Sequence, residues 1–530
     1  MKINFKFRSI NFFAYLVIFL FIVYFSYLSV ARHLALKTYQ NDLGVYSQLT
    51  WNTLQGRFFE ASGAMLQVTL NSYYTTDEHF NYLSAHFSPL LIIFAPLYAI
   101  WSDPRLFLII QALLVGLSAL PIYWLAREKL KSALAGLLLL LSYLFYPIIN
   151  NALLYDFHEV TFGAPLVTFA LWFFYKKKIG PMLICLFLLL LLQEQASLIV
   201  LMFGVYLMIK KNLKLGLAIS VIALGYFILV VFYLMPLFSA AGEVVLFKDR
   251  YGWLGQNFSE AFRTIIREPL TVLKAMLGFR QLEFLSIMLM PLLYLPLLSG
   301  LFILALPIIL INFLSKINMT YSVYFYHSAI IIGIIYLAII NVLARLFKNP
   351  LIQKILLGLI LISTLIFSYF YSLTPLAKKY HWSDYHISDN AKLIKEVKKL
   401  IPDSAALSIQ NNLGPHFANR QKLFHFPYML EQADYVILDI NDPYAANQQA
   451  VFKFNSALMG EQNFNLQYFD WWFSSVGQMF KRPDFGIIYS QDGWLVFQKG
   501  AGQQLNDQAQ LEFQKKFAEI LDDNNLKLQE

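Results

Sequence analysis

Long apolar runs separated by short basic loops fill most of the chain up to residue 371. Runs of about 16–22 apolar residues, wound as helices, cross a hydrocarbon core about 30 Å thick. Such runs fall at 12–30, 105–126, 132–147, 160–175, 213–236, 328–346 and 355–371. Two longer runs, 180–209 and 284–314, read as hairpins of two spans each. The pattern predicts a polytopic α-helical membrane protein with about eleven transmembrane helices.

Lysine and arginine in the short loops orient the spans. Arg127–Lys131, Lys176–Lys178, Lys210, Lys211, Arg345 and Lys348 belong in the cytoplasm, and so does the basic start of the chain. The first run resembles a signal peptide. It is too long for one and is followed by no small-x-small cleavage site, so a retained first span is expected. Residues 31–104 and 237–283 then form outer loops. One apolar stretch, 87–101, would flip this parity if it crossed. Its length and two prolines suit an interfacial or re-entrant element in the first outer loop, with Ser88-Pro89 as a helix start.

From about residue 374 the runs end, and polar residues alternate with apolar ones. Residues 390–400 have helical periodicity. Residues 405–409 and 435–439 read as strands, 486–489 and 494–498 as a hairpin around Ser490–Gly493, and 509–530 as a polar helix. The expected organisation is a transmembrane domain over 1–373 and an extracytoplasmic soluble α/β domain over 374–530. No repeat, Walker loop or dinucleotide fingerprint is present.

Composition sharpens this reading. Charged residues are 14% against 58% hydrophobic ones, with mean hydropathy +0.55. Soluble domains carry about a quarter charged residues. The net charge of +9 reads as cytoplasmic anchoring, so no nucleic-acid partner is expected. The single cysteine, Cys185, inside an apolar run, is read as excluding an intrachain disulfide and any cysteine-based metal site.

The polar residues at the outer ends of the spans are the chemical candidates. Asp42, in Asn41-Asp42-Leu-Gly-Val-Tyr-Ser-Gln48, is either a helix cap or a carboxylate that deprotonates a hydroxyl or binds a divalent metal. His86 stands at the border, seven residues after His79 in Asp77-Glu78-His79, a solvated loop. Asp156 and Glu159 flank His158. A cap and a first-turn acid explain either carboxylate but not the histidine. Glu194 sits at the tip of a hairpin, where an ionisable group is costly. His327 follows Tyr324-Phe-Tyr326. Arg57, Arg105, Lys248 and Arg250 lie outside, against the positive-inside tendency, and can hold phosphate or pyrophosphate. Each has an ordinary surface or capping explanation. Their joint placement on one side is the signal.

Asp42-Leu-Gly-x-x-x-Gln48, His86-x-Ser-Pro89, Gln111, Pro121, Asp156-Phe-His158, Gln193-Glu-Gln, Pro415-His-x-x-x-Arg420 and Ala433-Asp-Tyr-Val-Ile-Leu-Asp439 together resemble a family of membrane proteins known as domain of unknown function 2079. That family is similar in turn to the C-type glycosyltransferases, which use polyprenyl-phosphate-linked sugars. The resemblance implies that Asp42 is the first-loop catalytic base and Asp156 a second outward acid. His86-Phe-Ser-Pro89 then closes the first loop. Where relatives carry a Lys/Arg-Glu-Asp-like run, this chain has Gln193-Glu194-Gln195.

The expected activity is inverting sugar transfer in the plasma membrane, at its outer face, from a polyprenyl-phosphate-linked donor to an envelope glycan, lipid or protein. Gln48, His86, Asp156, His158, Glu159, Glu194 and His327 would bind substrate. Arg57, Arg105, Lys248 and Arg250 would bind phosphate. Asp42 and Asp156 are the candidates for Mg or Mn, if the reaction uses a divalent metal. A transporter or flippase of lipid-linked precursors, or a non-catalytic envelope-binding protein, are the alternatives. A transporter predicts polar residues at mid-depth and paired repeats, which this sequence lacks.

Overall fold

The computed structural model describes residues 2–62, 80–239, 242, 244, 247–441 and 462–523. It divides into two compact units. One comprises Met1–Val30, Tyr82–Ile93 and Arg105–Trp382; the other comprises Ala31–Asn81, Phe94–Pro104 and Ser383–Glu530. The expected solvated loop Asp77–His79 lies outside the described residues.

Five described helices are long and apolar enough to cross a membrane: Ser9–Leu34, Arg105–Lys129, Leu213–Leu237, Ala329–Leu346 and Pro350–Tyr371. The pair Ala133–Leu144 and Pro147–Tyr155, bent by 44°, makes a sixth if counted as one broken span. The expected eleven spans are therefore corrected to five or six. The run 180–209 folds as Ile179–Leu190 and Ala196–Ile209, of 12 and 14 residues, which rise only about 18–21 Å. The run 160–175 ends in a helix of 13 residues, Gly163–Tyr175. In 284–314, Pro291 and Pro296 leave short 3-10 turns between Phe279–Leu289 and Leu306–Leu314, and Pro307 stands in the first turn of the latter. A proline has no N–H and clashes with the preceding turn, so apolar length there does not become helical length. The stretch 87–101 contributes Pro89–Ile93 to the first unit and Phe94–Ile100 to the second. As one apolar helix of 12 residues, it too is shorter than a span.

Ala329–Leu346 is the buried centre of the first unit. Its neighbours come close where side chains are absent. A Cβ on Gly163 would lie 2.2 Å from Ile330 Cγ1, and one on Gly333 would lie 2.3 Å from Thr168 Cγ2. Small residues allow such approach between apolar helices, where dispersion rather than solvent exclusion holds the contact. Ser142 Oγ adds polar links of 2.8 Å to both Tyr336 and Thr364. Gly163→Val is expected to cost about 1–3 kcal/mol through overpacking. Thermal unfolding of the detergent-solubilised protein would read this as a lowered midpoint.

The second unit carries a sheet of five described strands. They are β1 (Leu407–Ile409), β2 (Leu423–His425), β3 (Tyr435–Asp439), β4 (Phe485–Gln491) and β5 (Trp494–Lys499), in the order β2-β1-β3-β5-β4. β1 pairs in parallel with β2 and β3; β5 pairs antiparallel with β3 and β4. Strand side chains alternate between faces. Leu407, Ile409, Ile437 and Val496 pack with Ile394 and Val397. Val436, Leu438, Leu495 and Phe497 pack with Trp472, Val476 and Phe513. Both faces are covered, which explains the continuous apolar reading of β3. β2 and the helix Gln462–Phe480 are additions to the elements expected from the sequence.

His425 ends β2 with Nδ1 2.8 Å from the Phe426 carbonyl oxygen, and its Nε2 has no partner among the described residues. Burial pulls the ring down to about 4 from the ordinary 6.5, against a smaller opposing effect of that carbonyl. The fold thus favours the neutral ring. Its stabilisation is full above pH 6.5 and is lost as pH falls toward about 4. The slope is about 1.4 kcal/mol per pH unit, about 3 kcal/mol in all. Emission of the buried Trp472 and Trp494 against pH measures it, and His425→Phe is expected to lack that slope.

Candidate functional site

In the first unit, the acid–histidine segment forms a sharp connection. Pro147–Tyr155 ends at Asp156, which is extended rather than a start of the next helix. A 3-10 turn, Glu159–Phe162, then leads into Gly163–Tyr175. Gln111, from the helix Arg105–Leu117, braces the connection. Its Nε2 donates to the Asp156 carbonyl at 2.8 Å, and its Oε1 accepts from the His158 N–H at 2.8 Å and from the Thr161 hydroxyl at 3.2 Å. The N-cap positions of the turn and of the helix, His158 and Phe162, make no side-chain cap bond.

Glu159 is buried and accepts from the Ser88 hydroxyl at 2.8 Å and the Tyr82 hydroxyl at 3.1 Å. Ser88 therefore turns its side chain to Glu159. Four residues after Tyr82, His86 Nδ1 lies 3.2 Å from Glu194 Oε1 and 2.8 Å from Gln193 Nε2. Glu194 Oε2 also accepts the Phe87 N–H at 3.0 Å. The turn between two short helices is thereby tied to the segment His86–Pro89. His86 and Glu194 are 14% and 16% exposed, so this pair is only weakly screened by water. Burial works to raise the Glu194 carboxyl, but the charge and hydrogen bond of His86, with backbone N–H groups, outweigh it and hold the carboxyl below its ordinary value.

The histidines converge on an aromatic ring. Tyr326 stacks on His158 at 3.3 Å between centroids and on His327 at 4.3 Å, with interplanar angles of 14° and 18°. His327 is buried, and its Nδ1 has no partner among the described residues. Burial keeps this ring neutral, well below the usual histidine range, and the nearby charges of Arg250, His158 and His86 push the same way. The Arg250 Nε is likewise buried without a partner among the described residues. One region of the first unit thus holds a guanidinium, three imidazoles and the carboxylates Glu159 and Glu194. Such a set can hold a phosphate oxygen or sugar hydroxyls.

Lys248 is exposed, on the short helix Phe247–Tyr251 that carries Arg250. Arg105 begins its helix, half-buried. Asp42, Gln48 and Arg57 belong to the second unit. Asp42 lies in a π-helical turn, Gln40–Gly44, that precedes the helix Val45–Leu54. Single π turns recur at functional sites. Asn411 clamps this turn. Its Oδ1 accepts from the N–H groups of Gln40 at 2.9 Å and Asn41 at 3.3 Å. Gln48 is buried and bonds Ser62 Oγ and the carbonyls of Arg420 and Gln421, at 2.9–3.1 Å, so its amide organises the unit from within. Arg57 donates to Asn52 Oδ1 at 2.8 and 3.0 Å.

Among the described residues, no three or more His, Cys, Asp or Glu side chains are grouped as metal ligands. Tyr326, Gln193 and Asn411 were absent from the sequence candidates. Tyr326 stood in an aromatic run beside His327, and Gln193 flanked Glu194. Asn411 had no local signal.

The spans and the short apolar helices define a multi-pass membrane protein. The chain belongs to the family described as "Predicted membrane protein (DUF2079)", whose profile matches residues 32–468. No curated protein matches it.

Proposed function

We propose that the protein is a membrane glycosyltransferase of the inverting C-type. It moves a sugar from a polyprenyl-phosphate-linked donor to an envelope acceptor at the outer face of the plasma membrane, with its C-terminal residues extracytoplasmic. The observation that carries this is the His158–Tyr326–His327 stack with Arg250 beside it, where His327 Nδ1 and Arg250 Nε are buried without partners among the described residues. The neutral His327 is suited to a sugar hydroxyl, and Arg250 to the phosphate. Glu159 and the His86–Glu194 pair supply further hydrogen-bonding groups of the donor site.

In the reaction, Asp42 takes the acceptor hydroxyl proton as the acceptor oxygen attacks the anomeric carbon. The bond from that carbon to the phosphate oxygen breaks with its electron pair, and polyprenyl phosphate leaves. Charge develops most on the leaving oxygen, where a guanidinium stabilises it best. One base suffices because phosphate leaves without strong acid assistance.

Turnover is the test. Purified protein is offered a panel of polyprenyl-phosphate sugars with an envelope extract as acceptor. The expected result is release of polyprenyl phosphate matched by a new glycosylated product. Folded protein that turns over no donor in the panel contradicts the reading.

A further inference from the structure

A cavity in the first unit has no part in this chemistry. It measures about 540 Å³ and is bounded by Lys129, Tyr175, Lys177, Lys210, Asn341 and Arg345 among others. No carboxylate is among its described lining residues. Its floor is built rather than incidental. Lys129 Nζ sits 3.5 Å from the Tyr175 ring centroid and donates to Asn341 Oδ1 at 2.8 Å. Asn341 Nδ2 donates in turn to the Tyr175 hydroxyl at 2.6 Å. Around this fixed floor, the side chains of Lys177, Lys210 and Arg345 are exposed.

The charge balance favours an anion. The helices Ala119–Lys129, Gly163–Tyr175, Ala196–Ile209 and Ala329–Leu346 all end at this cavity. Each helix C-terminus carries about half a negative charge, roughly two in total. Four lining cations exceed that by about two. The neighbouring acid, Glu128, is already paired with Lys176. An excess of about two positive charges matches a phosphate group. The volume, within the roughly 300–1,000 Å³ of small-molecule sites, leaves room for what the phosphate is attached to. Basic pockets between helix ends of membrane proteins suit lipid headgroups.

We infer that this cavity binds a phosphate group, carried by an anionic phospholipid headgroup or free in solution, at a site separate from the His158–Tyr326–His327 stack. The test uses the full-length protein in phosphatidylcholine nanodiscs. One arm adds phosphatidylglycerol and counts retained lipid by native mass spectrometry; the other titrates inorganic phosphate and pyrophosphate. Two variants accompany the wild type: Lys210→Gln with Arg345→Gln, both exposed, and Lys129→Met in the floor. Saturable phosphatidylglycerol retention that weakens about tenfold in the double variant assigns the cavity to a headgroup. Weakening of the same size in the phosphate arm assigns it to a soluble anion. Equal binding by the wild type and the double variant, or none in either arm, overturns the inference. Sugar-transfer activity does not enter this readout, so either proposal can fail alone.

Discussion

Asp42→Asn is expected to lower sugar transfer by about 10²–10⁴-fold, the contribution of a positioned general base. The donor KM is expected to stay roughly constant, because the proton taken belongs to the acceptor. The asparagine preserves size, and Asn411 holds the π turn Gln40–Gly44 through the backbone N–H groups of Gln40 and Asn41. Loss of activity without loss of the thermal transition would therefore report chemistry. Turnover equal to wild type would remove Asp42 as the base.

The second large effect concerns Glu194. Glu194→Gln removes a charge that accepts from His86 and the Phe87 N–H. Exposed ion pairs are worth about 0–1 kcal/mol, and breaking a buried one costs about 3–5 kcal/mol. At 14% and 16% side-chain exposure the expected cost is about 2–3 kcal/mol. The lowered carboxyl gives this cost a pH signature. Burial alone would raise it, but the His86 charge and the backbone N–H groups stabilise the carboxylate more. The stabilisation is fully present above the ordinary value of 4.5 and is lost as pH falls through the lower folded value. The stability gap between wild type and Glu194→Gln should close as pH falls through that lower value. A gap that does not change down to acid unfolding would show that the pair contributes no charge-dependent stability.

Apolar pattern identified the membrane class but overcounted the spans. Hydropathy measures length along the chain, and Pro291, Pro296, Pro307 and the turn at Gln193–Gln195 convert that length into broken or short helices. In the sheet, β3, β4 and β5 were legible because Tyr435–Asp439 is a bounded apolar run and Asp492-Gly493 marks a hairpin. β2 was not, since Leu423–His425 is too short to show any period. In the site, the residues whose ionisation is costly at a membrane border stood out. Their pairings did not. Gln111 and Ser88 carried the family resemblance, and Tyr82 carried no signal, but all three meet Asp156, His158 and Glu159 only through long-range packing. Tyr326 read as one interfacial aromatic among several until its two histidine neighbours were placed.

Where the lipid-linked phosphate is held decides the account. A polyprenyl phosphate bearing a photoreactive group next to the phosphate, crosslinked to the purified protein and mapped by peptide mass spectrometry, measures it directly. Label is expected on peptides containing His158, Glu194, Arg250 and Tyr326–His327, suppressed by excess unlabelled polyprenyl phosphate. Label confined to the peptides of Lys129, Lys210 and Arg345, or spread without competition, would contradict it.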